Sequence, residues 1–173
     1  MHAIRDATVR TEPLPCYDEH CYDQNASAER IAMAIDLCNN RGVRLTEMRH
    51  KILELLWEYG RPTGAYELIK ATTRRMSRPI KPPTVYRALD FLMSQGLVTK
   101  IESRNAYIPC THPEHPHECL FYICIECDSA VELEDPRLEH LISQNTAQLG
   151  FSPIRRMVEI EGICIHCTAT DSA

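Results

Sequence analysis

The sequence predicts an α+β protein in two parts: an N-terminal winged helix-turn-helix domain, followed by a small α/β domain that holds metal and pairs with a second copy. Three observations carry this. Residues 28–94 repeat apolar positions at helical spacing and then give way to two short alternating segments. Two Cys-x-x-Cys pairs, Cys124/Cys127 and Cys164/Cys167, lie 36 residues apart near the end of the chain. Charge also divides along the chain: residues 28–105 hold 14 Lys and Arg against 8 Asp and Glu, whereas residues 106–173 hold 3 against 11. A basic half followed by an acidic, thiol-rich half suits a nucleic-acid reader joined to a metal-binding unit, although the whole chain carries a net charge of −5.

Residues 1–26 have little periodicity and form an expected flexible arm that includes Cys16, His20 and Cys21. Ser27 is a good N-cap for a first helix that turns Ile31, Ile35 and Cys38 inward and stops at Gly42. Thr46 caps a second helix with a stripe of Met48, Ile52, Leu55, Leu56 and Tyr59. A third helix starts near Ala65 and buries Leu68 and Ile69, and Ser77–Lys81, with Pro79 inside it, is a loop. Pro82-Pro83-Thr84 opens a fourth helix, because proline suits the first helical turn. Val85, Leu89, Leu92 and Met93 face inward on it, and Tyr86, Arg87 and Asp90 lie on or beside the outer face. Gly96 ends this helix. Strands Leu97–Glu102 and Ala106–Pro109 then make the wing of a domain spanning 27–109, whose last helix enters a major groove.

The remaining residues, 110–173, change texture. Leu120–Ile125 and Ala130–Leu133 read as strands around the first thiol turn. Pro136–Leu149 is a helix with Leu138, Leu141, Ile142 and Leu149 inward and Gly150 as its stop, and Pro153–Ile163 is a strand into the second thiol pair. So small a unit buries little apolar surface alone, so a homodimer is expected. The nine cysteines are odd in number, they include Cys-x-x-Cys pairs, and no signal-peptide pattern precedes them. Reduced, metal-binding thiols in a cytoplasmic protein follow, rather than a secreted disulfide scaffold. No apolar run is long enough to span a bilayer.

Four thiolates in two such turns make a tetrahedral sulfur site, which suits structural zinc. The competing reading is a thiol oxidoreductase, which needs one pair at a helix N-terminus after a strand, whereas both pairs read as similar turns. No feature supplies a substrate pocket, so neither catalysis nor a small-molecule substrate is expected. Cys110, His115 and His117 just after the wing suggest a second site at the hinge, and the thiolate favours zinc over ferrous iron. On the fourth helix, Arg87 suits a guanine edge and Tyr86 a thymine methyl or a phosphate. Lys81 and Thr84 lie where backbone N–H groups also face phosphate, and Arg44, Arg49, Lys100 and Arg104 are candidate phosphate contacts.

Arg44-Leu45-Thr46-Glu47-Met48-Arg49, the stretch from Pro82 to Leu92, Gly96-Leu97-Val98 and the paired thiol turns resemble the ferric uptake regulator superfamily over residues 28–168, and within it the zinc-uptake branch. The resemblance implies a dimeric repressor that binds operator DNA when zinc is plentiful. It also implies that Cys110, His117 and Glu132 are regulatory zinc ligands, with His115 at a spacing seen in other members. Thr99 departs from the pattern, since relatives present His or Asp there, which leaves the fourth ligand among His115, His112 and Glu102. Cys119 has no assignment. Sister regulators that sense iron, manganese, nickel or peroxide share the scaffold and remain the nearest alternative.

Overall fold

The structure, a computed structural model, describes residues 24–114, 120–133, 135–154 and 156–170. The arm residues Cys16, His20 and Cys21 lie outside the described residues, as do His115, His117 and Cys119.

The head is built around α2 (Glu47–Tyr59), which packs against α1 (Gln24–Asn40), α3 (Ala65–Arg75) and α4 (Pro82–Ser94). Because α2 has neighbours on several sides, it buries Ile52, Leu53, Leu55, Leu56 and Trp57, a wider face than the expected stripe. The cluster also takes Leu68 from α3 and Val85, Ala88, Leu89 and Leu92 from α4. On α1 the inward face is Ile31, Ala34 and Cys38, whereas Ile35 is 37% exposed, contrary to expectation. At 100° per residue, Ala34 and Cys38 stack one turn apart, and Ile35 is rotated off that line. Gly96 ends α4 with φ +68, a conformation costly for other residues, and turns the chain straight into the wing.

The wing has three strands, not two. β2 (Val98–Ile101) and β3 (Ala106–Pro109) form the expected hairpin, and β1 (Thr63–Gly64) pairs with the far side of β3 through Thr63↔Tyr107 and Gly64↔Ala106. A two-residue strand carries no periodicity for sequence to reveal. Arg41 joins the end of α1 to the end of α4 and to the segment after the wing: its guanidinium donates to the Gln95 carbonyl at 2.6 Å and to the Pro113 carbonyl at 3.2 Å.

The second unit is a sheet of order β5-β4-β6, with β4 at Leu120–Cys124, β5 at Ala130–Leu133 and β6 at Val158–Gly162. β5 is antiparallel to β4, and α5 (Pro136–Gln148) crosses over so that β6 returns parallel to β4, from Leu120↔Val158 to Cys124↔Gly162. β6 is shorter than the expected strand, and a short helix, α6 (Ile165–Thr170), follows it. α5 starts on an N-cap, Asp135, whose carboxylate accepts the Arg137 N–H at 2.9 Å. Contrary to expectation within one chain, α5 buries none of its residues: Leu138 and Leu141 are exposed, as is Leu149 at its C-cap.

The two units share a second apolar cluster. Ile101 and Ile108 of the wing pack with Phe121, Ile123 and Ala130 of the second sheet. Among the described residues, no helix is long and apolar enough to cross a membrane.

Candidate metal centre and nucleic-acid interface

On α4 the apolar positions turn into the head, leaving Lys81, Thr84, Tyr86, Arg87 and Asp90 on one exposed face beside the wing. This face can present a guanidinium and a phenol to base edges. The helix start offers phosphate less than expected. Pro82 and Pro83 have no N–H, and the Thr84 N–H is taken by the Lys81 carbonyl at 2.9 Å. What the helix start can still offer an anion is the exposed side chains of Lys81 and Thr84. Arg44 is exposed at the entry to α2. Arg49 is only half-exposed: its guanidinium lies 3.4 Å from the centre of the Phe91 ring on α4 and donates to the Arg44 carbonyl at 2.6 Å. It therefore ties α2 to α4.

The thiols come together because of the strand order. Parallel pairing makes β4 and β6 leave the sheet at the same end, and the Ile125 N–H bonds to the Gly162 carbonyl at 2.9 Å just beyond the last register pair. The first thiol turn is closed by the Asp128 N–H on the Cys124 carbonyl at 3.1 Å, with Asp128 itself at φ 56. The second pair is not in a similar turn. Cys164 immediately precedes α6 and its carbonyl accepts the N–H groups of Cys167 and Thr168.

The four sulfurs of Cys124, Cys127, Cys164 and Cys167 lie within 4.8 Å of one another. Separations across the pairs are 3.9 Å for Cys124–Cys167 and 3.8 Å for Cys127–Cys164. A tetrahedron with metal–sulfur bonds of about 2.3 Å has edges of about 3.8 Å, so the sulfurs stand where one ion would hold them. The electrostatics agree with that need. The Cys164 N–H, 3.3 Å away, lowers the Cys124 thiol to about 6, while the neighbouring sulfurs, Cys164 first, push Cys167 up. A bare cluster cannot ionise throughout, because each thiolate raises the next, and a divalent cation removes the conflict. Among the described residues, no other group of three or more His, Cys, Asp or Glu side chains gathers closely enough to share an ion.

The hinge residues are placed as follows. Cys110 is buried, and its N–H donates to the Leu97 carbonyl at 3.0 Å. Glu132, on β5, is also buried. Its carboxylate accepts the Thr111 N–H at 3.2 Å and the Thr111 hydroxyl at 2.8 Å. The same hydroxyl lies 3.1 Å from His112 Nδ1, so Thr111 links a buried carboxylate to an imidazole. Sequence reasoning did not single out Thr111, since only its contacts mark it. Glu102 is elsewhere, exposed at the wing tip and paired with Lys100 at 2.6 Å.

A sequence profile of the ferric uptake regulator family matches residues 40–161. The zinc uptake regulation protein of Escherichia coli (strain K12) is 34% identical over 151 residues, covering 87% of this chain and 88% of that protein. Its namesake from Mycobacterium tuberculosis (strain H37Rv) is 32% identical over 129 residues, 73% of this chain and 95% of that protein. Among solved structures, a zinc uptake regulator in complex with zinc and DNA aligns with a TM-score of 0.81 at 34% identity, over 85% of this chain and 98% of the other. Holo XcZur aligns at 0.75 and 42% identity, over 82% and 98%. A winged head with an exposed α4 face, a parallel β4–β6 pair that assembles four thiols, and these likenesses lead to one conclusion: the chain belongs to the ferric uptake regulator family.

Proposed function

We propose that this protein is a zinc-responsive transcriptional regulator whose homodimer binds operator DNA and represses zinc-uptake genes when zinc is plentiful. The observation that carries the reading is the likeness, at 34% identity and a TM-score of 0.81, to a zinc uptake regulator solved with zinc and DNA. The protein acts in the cytoplasm by binding, not by catalysis.

In this reading, Cys124, Cys127, Cys164 and Cys167 hold structural zinc, which supplies a cross-link between the two ends of the second unit. Cys110, His115, His117 and Glu132 hold regulatory zinc, with His112, which Thr111 links to Glu132, as a further candidate, while Glu102 stands apart at the wing tip. A thiolate, imidazole and carboxylate set suits that ion. Tyr86, Arg87, Thr84 and Lys81 meet the operator directly, Arg44 meets phosphate, and Arg49 acts by holding α4 in place. The second copy covers α5 and the open face of the sheet, where Tyr122, Ile160, Leu138 and Leu141 are exposed. The heads of the dimer sample several orientations, and a filled hinge favours the spacing that fits two half-sites. Each tenfold gain in DNA affinity needs about 1.4 kcal/mol of differential zinc binding.

The test is fluorescence anisotropy on zinc-uptake promoter fragments under buffered free zinc, with iron(II) and manganese(II) in parallel. Tight binding that appears only as zinc rises is expected, and an equal response to the other metals would reject the zinc assignment. Cys110→Ser is expected to weaken the zinc response while the dimer stays folded.

A further inference from the structure

The two units are joined at the wing tip by polar contacts as well as by their shared apolar cluster. Glu102 through Asn105 form the turn that closes β2 to β3, with Asn105 at φ 47. The Glu159 carboxylate, on β6, accepts the N–H of Glu102 at 2.7 Å and that of Ser103 at 3.0 Å. Burial pushes this carboxyl up, but hydrogen bonds from the Ser103 side chain and the two N–H groups outweigh it and hold it below its usual range. Beside it the Arg104 guanidinium lies 3.5 Å from Asp128 and 3.5 Å from Glu161. Asp128 adjoins Cys127, and Glu161 lies three residues before Cys164, so these acids sit on segments that end in the thiol cluster.

Ion pairs as long and exposed as those of Arg104 hold little by themselves. A carboxylate that accepts two N–H groups of a turn is stronger and more specific, because the acceptor is charged and meets two adjacent donors at once. We propose that Glu159, supported by Arg104, latches the wing to β6 and fixes the DNA-binding head against the second unit in the orientation that reads DNA. The thiol cluster thereby acts on DNA recognition at a distance, through β6. Arg104, which the sequence suggested as a phosphate contact, is a positioning residue. The proposal rests on the operator-binding reading above.

The experiment uses the full-length, zinc-loaded dimer carrying Glu159→Gln. The amide accepts at one oxygen but sets its NH2 against the second N–H, donor facing donor. Operator affinity, by anisotropy at saturating buffered zinc, is expected to fall at least about fivefold, which corresponds to about 1 kcal/mol. Zinc content and dimer mass stay unchanged, and small-angle scattering shows a broader distribution of dimensions. Removal of one negative charge acts the other way on phosphate binding, so charge alone predicts tighter binding. Binding as tight as wild type, or tighter, overturns the latch. Arg104→Ala tests it from the wing side and covers the case in which Glu159→Gln loses zinc. A smaller loss of affinity is expected, with an unchanged dependence on salt. A salt slope shallower by about 0.9 would make Arg104 a phosphate contact and overturn its role. If wild type itself shows no zinc-dependent binding, the regulator reading fails, and scattering still decides whether the latch sets the head's orientation.

Discussion

Removal of one thiol turn, with Cys164→Ser and Cys167→Ser together, is expected to unfold the second unit while sparing the head. The double change leaves two ligands, too few for a closed site. The cross-link closes a loop with 36 residues between its inner cysteines, and the chain entropy it removes from the unfolded state is worth about 4 kcal/mol. The second unit has little to set against that loss. Among the described residues its sheet buries only Leu120, Phe121, Ile123, Cys124, Ala130 and Leu133 as apolar side chains, and α5 adds none within the chain. At about 4–8 °C per kcal/mol for a unit of this size, its transition drops by roughly 15–30 °C. Trp57 provides a separate probe, because the only tryptophan of the chain is buried in the head cluster. Far-ultraviolet dichroism is expected to resolve an early transition while Trp57 fluorescence melts near its original temperature, and zinc analysis to show one ion fewer per chain. A single unchanged transition at full zinc content would refute the cross-link, and a fall in the Trp57 transition by the same amount would show that the Trp57 cluster depends on the cluster that the two units share.

Leu56→Ala, at a fully buried position of the head cluster, is expected to cost about 2–5 kcal/mol, read from the denaturant midpoint of Trp57 fluorescence. Arg87→Ala is expected to cost about 1–3 kcal/mol of operator binding and to relax base preference at one position, whereas Lys81→Ala weakens all sequences alike and makes the salt dependence shallower by about one. Competition binding over a range of salt separates the two. Gly96→Ala meets no atom within 4 Å, so its expected cost of roughly 1–2 kcal/mol in thermal unfolding is backbone strain at φ +68 alone.

Much of the head was legible in the sequence because each signal was local. Proline at the start of α4, glycine at its end and apolar residues three and four apart are read without knowing the fold. Ile35 misled because the apolar face of α1 can be drawn through neighbouring residues, and only the packing of α1 on α2 chooses Ala34. The thiol cluster was legible as a set of ligands, since spacing alone suggests it. Its cause was not: the parallel return of β6 beside β4 depends on a pairing across more than 30 residues. The wing-tip contacts were likewise hidden, because Glu159, Glu161 and Asp128 look like ordinary surface acids until β6 lies against the hairpin. Arg49 reads as a free positive charge in sequence, and only its ring contact with Phe91 reveals otherwise.

The bare face of α5 has a consequence for how the protein works as a population. In the proposed homodimer, Leu138, Leu141 and Leu149 reach a dry environment only when a second chain arrives, so part of each chain's folding energy is supplied by its partner. Stability then rises with protein concentration through mass action. A cell that holds few copies would have a smaller folded fraction as well as fewer regulators. The steepness of the response would therefore reflect how much of the protein is made, in addition to how tightly each site grips its ion.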